Sequence, residues 1–250
     1  MMIDSVCVVG TGRVGTAVAA RLRERGHPVA VAGRSLHTGS AGLVVLCVPD
    51  REIAPVAAAI APGPWVAHVS GATPLAALAP HARRFGVHPL QSLSLDRGPE
   101  QLDGAWGAVG GETPEALAMA HELAGLLGLR PFELADRDRA AYHAAAAFGA
   151  NFTVTLYHAA ARLLEGCGVP PEALAPLVRR VVDNGFALTG PIQRGDRATV
   201  EAHLAALAER APELEPLYRL LARATVDLVP GSRADALPAG VAPAPEAVPA

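Results

Sequence analysis

Residues 10–15, Gly10-Thr11-Gly12-Arg13-Val14-Gly15, place three glycines at the spacing of a turn that can hold a diphosphate. The first glycine permits the tight turn and the second lets the backbone approach the pyrophosphate. The third lets a helix pack closely on a strand, and the helix amino terminus attracts the phosphates. Alone the pattern is weak, because glycine is common in turns. Here the apolar run 5–9 precedes it. Val14, Ala17, Val18 and Leu22 then recur at helical spacing until Gly26. All six residues are therefore read as dinucleotide contacts.

The end of the next apolar run, 28–32, selects the dinucleotide. An NAD site places Asp or Glu about 20 residues beyond the glycines, on the ribose hydroxyls. No acidic residue occurs between Glu24 and Asp50, and Arg34-Ser35 stands there instead. A guanidinium and a hydroxyl suit a 2′-phosphate, so the expected cofactor is NADP. A solvated surface arginine is the competing reading.

Three further groups could do chemistry. His88-Pro89-Leu90-Gln91-Ser92 puts polar side chains in a loop expected after a strand at 84–87, on the side where open α/β sheets bind ligands. An imidazole there could exchange a proton with a hydroxyl or carbonyl; a histidine that only fixes the loop is the alternative. His143, Ala147 and Asn151 recur every four residues, near one face of a helix, where His and Asn could bind a substrate oxygen. In Gly190-Pro191-Ile192-Gln193-Arg194-Gly195-Asp196, Arg194 could anchor a carboxylate or phosphate; alternatively this is a turn with Asp196 capping the next helix. All 21 basic residues are arginine, so no lysine can serve as acid, base or Schiff-base amine. No zinc-ligand spacing occurs, so no metal is expected, and no Gly-x-Ser-x-Gly elbow supports a serine hydrolase.

The elements that must position these groups follow from the apolar pattern. Strand-like runs at 5–9, 28–32, 43–48, 66–70, 84–87, 106–109 and 129–134 argue for an α/β Rossmann domain with a mostly parallel sheet over residues 1–134. Residues 135–229 carry no strand signal. They read as an all-helical carboxyl-terminal domain: one long Ala-rich helix at 137–165, then helices at 171–186, 197–209 and 213–228. Residues 230–250, rich in Pro and Ala, are expected to be disordered. A net charge of −3 argues against nucleic acid as a partner, and no apolar run approaches the ~20 residues of a membrane span. The absence of a basic leader and three dispersed cysteines fit a reducing cytoplasm.

The chain resembles bacterial proteins with a Rossmann-like domain followed by a DUF2520 domain. The resemblance rests on Gly10–Gly15, Val48-Pro49-Asp50, Ser70-Gly71-Ala72, His88–Ser92, Tyr142-His143 with Asn151-Phe152, and Leu188-Thr189-Gly190-Pro191 running into Arg194-Gly195-Asp196. It covers about residues 3–228. It implies the 6-phosphogluconate-dehydrogenase-like superfamily, often dimeric through its helices, and an NADP-dependent oxidoreductase with no agreed substrate. Val48, Pro49, Ser70 and Gly71 would then join the cofactor site, with the nicotinamide near Ser70-Gly71. A small carbonyl or hydroxy acid would lie in a cleft between the domains, among His88, His143, Asn151, Gln91, Ser92 and Arg194. A non-catalytic NADP(H) sensor or assembly protein is the alternative function.

Two departures stand out. The segment between Ser35 and Leu43 is too short for the usual helix and strand, so the sheet should lack its outer edge strand. Hydroxyacid dehydrogenases of the superfamily use a lysine one turn before the asparagine, where this chain has Ala147. The His-Pro step at His88 resembles prephenate dehydrogenases, in which such a histidine contacts the substrate hydroxyl, and makes His88 the leading catalytic candidate. Arg34 should favour NADPH over NADH by about 1.5–3 kcal/mol through a charge-assisted hydrogen bond. Calorimetry should show that preference, and Arg34→Ala should remove most of it.

Overall fold

The computed structural model describes residues 3–33, 38–229, 237, 238 and 241. Arg34 and Ser35 lie outside the described residues, as does most of the stretch from 230. The chain divides into two compact units, residues 1–151 and 152–250.

The first unit is a seven-stranded sheet of β1 (Val6–Val9), β2 (Val29–Ala32), β3 (Leu43–Leu46), β4 (Trp65–His68), β5 (Arg84–Pro89), β6 (Trp106–Gly111) and β7 (Arg130–Glu133). Its order is β2-β1-β3-β4-β5-β6-β7. The first five strands are mutually parallel; β6 runs antiparallel to β5, and β7 parallel to β6. The expected fold class holds. Strands β1 and β3 are apolar on both faces, because helices cover both. Helices α1 (Arg13–Glu24) and α3 (Pro114–Leu126) cover one face, on Val6, Val8, Val45, Phe85 and Val109. Helix α2 (Asp50–Ala58) and the 3-10 turn Leu75–Leu78 cover the other, on Cys7, Val9, Val44 and Leu46. Helix α3 starts cleanly because Thr113 Oγ1 accepts from the Ala116 N–H at 3.2 Å and Pro114 needs no donor.

Several boundaries differ from the sequence reading. Helix α2 is absent from the sequence reading; Pro49 caps it, and Pro55 removes one hydrogen bond from a helix held by Ile53 and Ala57. Among the described residues no strand lies beyond β2, and Val31 there is 42% exposed, as an edge strand allows. The helix expected at 137–165 is broken: a 3-10 turn at Asp136–Asp138 leads into α4 (Arg139–Ala147), and a π-helical turn at Phe148–Phe152 separates that from α5 (Thr153–Glu165).

The second unit also contains α6 (Leu174–Asp183), α7 (Arg197–Arg210) and α8 (Glu215–Val226). Asp196 caps α7 by accepting from the Thr199 N–H at 3.1 Å. Val200 and Leu204 of α7 pack with Ala222 of α8 and with Leu237 and Val241. The expectation of disorder from 230 onward therefore fails at Leu237 and Val241, which are buried. Among the described residues no helix is long and apolar enough to cross a membrane.

Leu123, fully buried on α3, tests the first unit's core. Both tryptophans, Trp65 and Trp106, lie in that unit and report its unfolding. Leu123→Ala should lower its stability in urea by about 2–5 kcal/mol, read from tryptophan fluorescence.

Candidate functional site

The glycine turn leaves β1 and enters α1 where the chain has β2 on one side of β1 and β3 on the other. That is the crevice where open α/β sheets receive ligands. Gly10 has φ +119°, and a Cβ there would stand 2.3 Å from the Cys47 carbonyl oxygen. A Cβ on Gly15 would stand 2.1 Å from the Gly10 carbonyl oxygen. Both glycines are thus dictated by backbone packing. A Cβ on Gly12 would meet nothing within 4 Å, so this glycine keeps space open. Gly12 is also the N-cap of α1; no side chain caps it and no acidic residue lies in the first turn. An open helix amino terminus without negative charge fits a dinucleotide pyrophosphate. Thr11, Gly12 and Arg13 are exposed there, Val14 is half-buried, and Val48-Pro49 leads from β3 into α2.

The second cluster sits at the carboxyl ends of β4 and β5. His88 lies inside β5, paired with Ala108 of β6, and not in a following loop; the proline after it still pairs with Gly107 and so extends the strand. Its Nδ1 is 2.7 Å from the Tyr142 hydroxyl of α4, with the rings edge-to-face at 87°. His143, the next residue, stacks edge-on with centroids 6.3 Å apart. A Cβ on Gly71 would stand 2.9–3.0 Å from His88 Cε1 and Nε2 and from His143 Cδ2, so only glycine lets both imidazoles pack this closely on the turn after β4.

Arg139, one turn before Tyr142 and His143, fastens this helix to the sheet. It is 2% exposed. Its Nε donates to Asp136 Oδ1 at 2.5 Å, and its Nη1 to the Ser70 carbonyl at 3.3 Å. Asp136 Oδ2 in turn accepts from the Leu75 N–H at 2.8 Å. Glycines make the room, for a Cβ on Gly86 would stand 2.8 Å from Arg139 Nη2, and one on Gly110 3.0 Å. The Ser70 hydroxyl accepts from the Ala72 and Thr73 N–H groups, which leaves this residue holding the turn.

These surroundings keep His68 and His88 uncharged. Burial, helped by Arg139, pushes His68 down to about 4, and its Nε2 is buried without a partner. His88 is likewise pushed down to about 4, by burial first and then by His143 and Arg139. Burial raises the Tyr142 hydroxyl to about 12.

Of the residues read from the sequence, the structure brings Gly71, His88 and His143 together. Asn151 lies on the π-helical turn beyond His143. Gln91 and Ser92 are exposed, and the Gln91 side-chain Oε1 accepts from the Ser92 N–H at 2.9 Å. Arg194, in the second unit, donates to the Thr189 carbonyl at 2.6 Å. Sequence reasoning did not single out Arg139, Asp136 or His68. The i, i+3, i+4 spacing of Arg139, Tyr142 and His143 was the available signal.

Residues 106–225 match the DUF2520 family, described as a domain of unknown function. The match begins at the first residue of β6 and takes in Arg139, Tyr142 and His143, whereas His88 and the glycine turn precede it. The hydrogen bond from Tyr142 to His88 thus joins the DUF2520 segment to the strands before it. No protein of curated function matches the sequence. Among solved structures, a provisionally named NADP oxidoreductase from Bacteroides fragilis is 22% identical, with TM-score 0.76, over 88% of this chain and 97% of that one. A protein from Thermotoga maritima is 24% identical, with TM-score 0.70, over 89% and 97%. A reductive aminase from Aspergillus terreus, in complex with NADPH and ethyl levulinate, is 20% identical, with TM-score 0.65, over 94% and 98%. These likenesses show a shared fold.

The lowered histidines make stability pH-dependent. His68 has an ordinary value of 6.5 and a folded value of about 4, so on acidification the unfolded chain binds the proton first. Stability is complete above about pH 6.5 and is lost as the pH falls toward 4, by about 3 kcal/mol for a shift of this size. Urea unfolding followed by tryptophan fluorescence should show that loss, and His68→Gln should remove the His68 share of it while the His88 share remains.

Proposed function

We propose that this chain is an NADP-dependent oxidoreductase acting on a small carbonyl or hydroxy acid. The observation that carries the reading is the open, uncapped amino terminus of α1 at the glycine turn. At the same carboxyl edge of one sheet stands the His88 imidazole, packed against Gly71. Gly10, Thr11, Gly12, Arg13, Val14 and Gly15 would hold the pyrophosphate, Arg34 and Ser35 the 2′-phosphate, and Val48, Pro49, Ser70 and Gly71 the remainder. NADP(H), when bound, supplies or accepts a hydride. His88 holds the proton that accompanies it, on Nε2. His143 and Asn151 orient the substrate oxygen, and Gln91, Ser92 and Arg194 are the proposed substrate contacts. Exposed Leu177, Val181 and Val182 on α6 support a homodimer formed through the helical unit.

The missing lysine and the bare edge at β2 favour a second reading, a protein that binds NADP(H) without turnover. A screen of oxo- and hydroxy-acids for NADPH oxidation or NADP reduction, with binding measured alongside, separates the two. With a substrate in hand, His88→Gln should lower turnover at least about tenfold while NADPH affinity stays within about twofold. Full turnover in His88→Gln with loss in His143→Gln would reverse the two roles.

A further inference from the structure

The pair formed by Tyr142 and His88 carries more information than proximity. We propose that Tyr142 fixes His88 as the tautomer with its proton on Nε2, making His88 an uncharged hydrogen-bond donor and, with Tyr142 behind it, a two-residue proton relay. The proposal rests on the reading of this cluster as the reacting site, but its test does not.

Only one arrangement of protons uses the geometry fully. The Tyr142 oxygen and His88 Nδ1 are 2.7 Å apart, so one proton lies between them. If Nδ1 carried it, the half-buried tyrosine hydroxyl would have only solvent to donate to, since among the described residues it meets no other acceptor. If the hydroxyl donates, that proton is used and the imidazole's own proton must sit on Nε2. Nε2 lies on the ring edge packed against Gly71, where a Cβ would crowd it.

The charges around the ring favour its neutral form. From α4, His88 faces Tyr142, His143 and the buried Arg139. From α2 it faces Asp50, the opposing charge, and the neighbouring strand β4 carries His68, itself held neutral. Burial, His143 and Arg139 together outweigh Asp50, so His88 sits well below its ordinary value. Such a ring cannot act as imidazolium at neutral pH. It can donate the Nε2 proton if Nδ1 is refilled at the same time.

The relay balances. When a carbonyl carbon receives a hydride from a reduced nicotinamide, its oxygen becomes anionic. That oxygen takes the Nε2 proton, Nδ1 takes the Tyr142 proton, and the imidazole stays neutral throughout. The negative charge ends on the Tyr142 oxygen, which regains a proton from solvent. A phenolate, even with the Tyr142 hydroxyl raised to about 12, is a far weaker base than an alkoxide, so the transfer runs downhill. Tyr142 is a positioning residue in this scheme, since it acts through His88.

The test is the histidine side-chain nitrogen spectrum of the full, uniformly labelled chain at pH 7, with no nucleotide or substrate added. His88→Gln identifies the signals by deleting them. The expected result is a protonated Nε2 and an unprotonated, hydrogen-bonded Nδ1, favoured roughly tenfold, as one net hydrogen bond allows. The ring should stay neutral to about pH 5, and in Tyr142→Phe the two nitrogen shifts should converge as the other tautomer gains population. A protonated Nδ1 in the unmodified chain, a ring charged at pH 6, or shifts unaltered by Tyr142→Phe would each overturn the proposal. A protein with this tautomer but no turnover would fail only the oxidoreductase reading.

Discussion

A guanidinium withdrawn from water is tolerable in a protein only when its charge and donors are met. Arg139 meets that condition with Asp136 and the Ser70 carbonyl, in space that Gly86 and Gly110 leave free. Breaking a buried pair of this kind costs roughly 3–5 kcal/mol, because the surviving charge has nowhere to go. The pair therefore fixes α4 against the ends of β4 and β5. Tyr142 and His143 follow one turn later and can lie only over His88 and Gly71. The same charge, acting through a dry interior, helps hold His68 and His88 neutral. Placement and protonation of the cluster thus share one cause.

Much of the fold was legible because burial writes itself into residue type. The runs Val6–Val9 and Leu43–Leu46 are apolar at every position, as strands covered on both faces must be. The glycine turn was legible because only glycine fits within 2.3 Å of a carbonyl. Helix α2 was not, because local rules read Pro49 and Pro55 as breaks, while tertiary packing of Ile53 and Ala57 decided the matter. The end of β5 was misplaced for a similar reason: Pro89 looks like a strand stop, but it sits where a ladder with β6 still accommodates it.

The chemistry was legible in part. His88 stood out as an imidazole beside polar neighbours, yet its charge state depends on Arg139, 51 positions away, and no local pattern reports that. Tyr142 was visible as part of a motif, but not as the partner of Nδ1. Arg139 and Asp136 looked like ordinary members of an exposed, charged turn. Only the sheet's two glycines, on different strands, reveal that the guanidinium points inward. Long-range pairing of this sort is invisible to spacing rules, which see one element at a time.

The glycine turn and the His88 cluster are separate constructions, one closed by backbone packing and the other by a buried ion pair. Their union in one reacting site is the central claim, and the His88 and His143 side-chain nitrogen signals, followed while NADPH is titrated into the full chain, test it most directly. Signals of both rings that move saturably, with the same dissociation constant as the nucleotide measured by calorimetry, are the predicted result. NADPH that binds to saturation while both rings keep their shifts would contradict it.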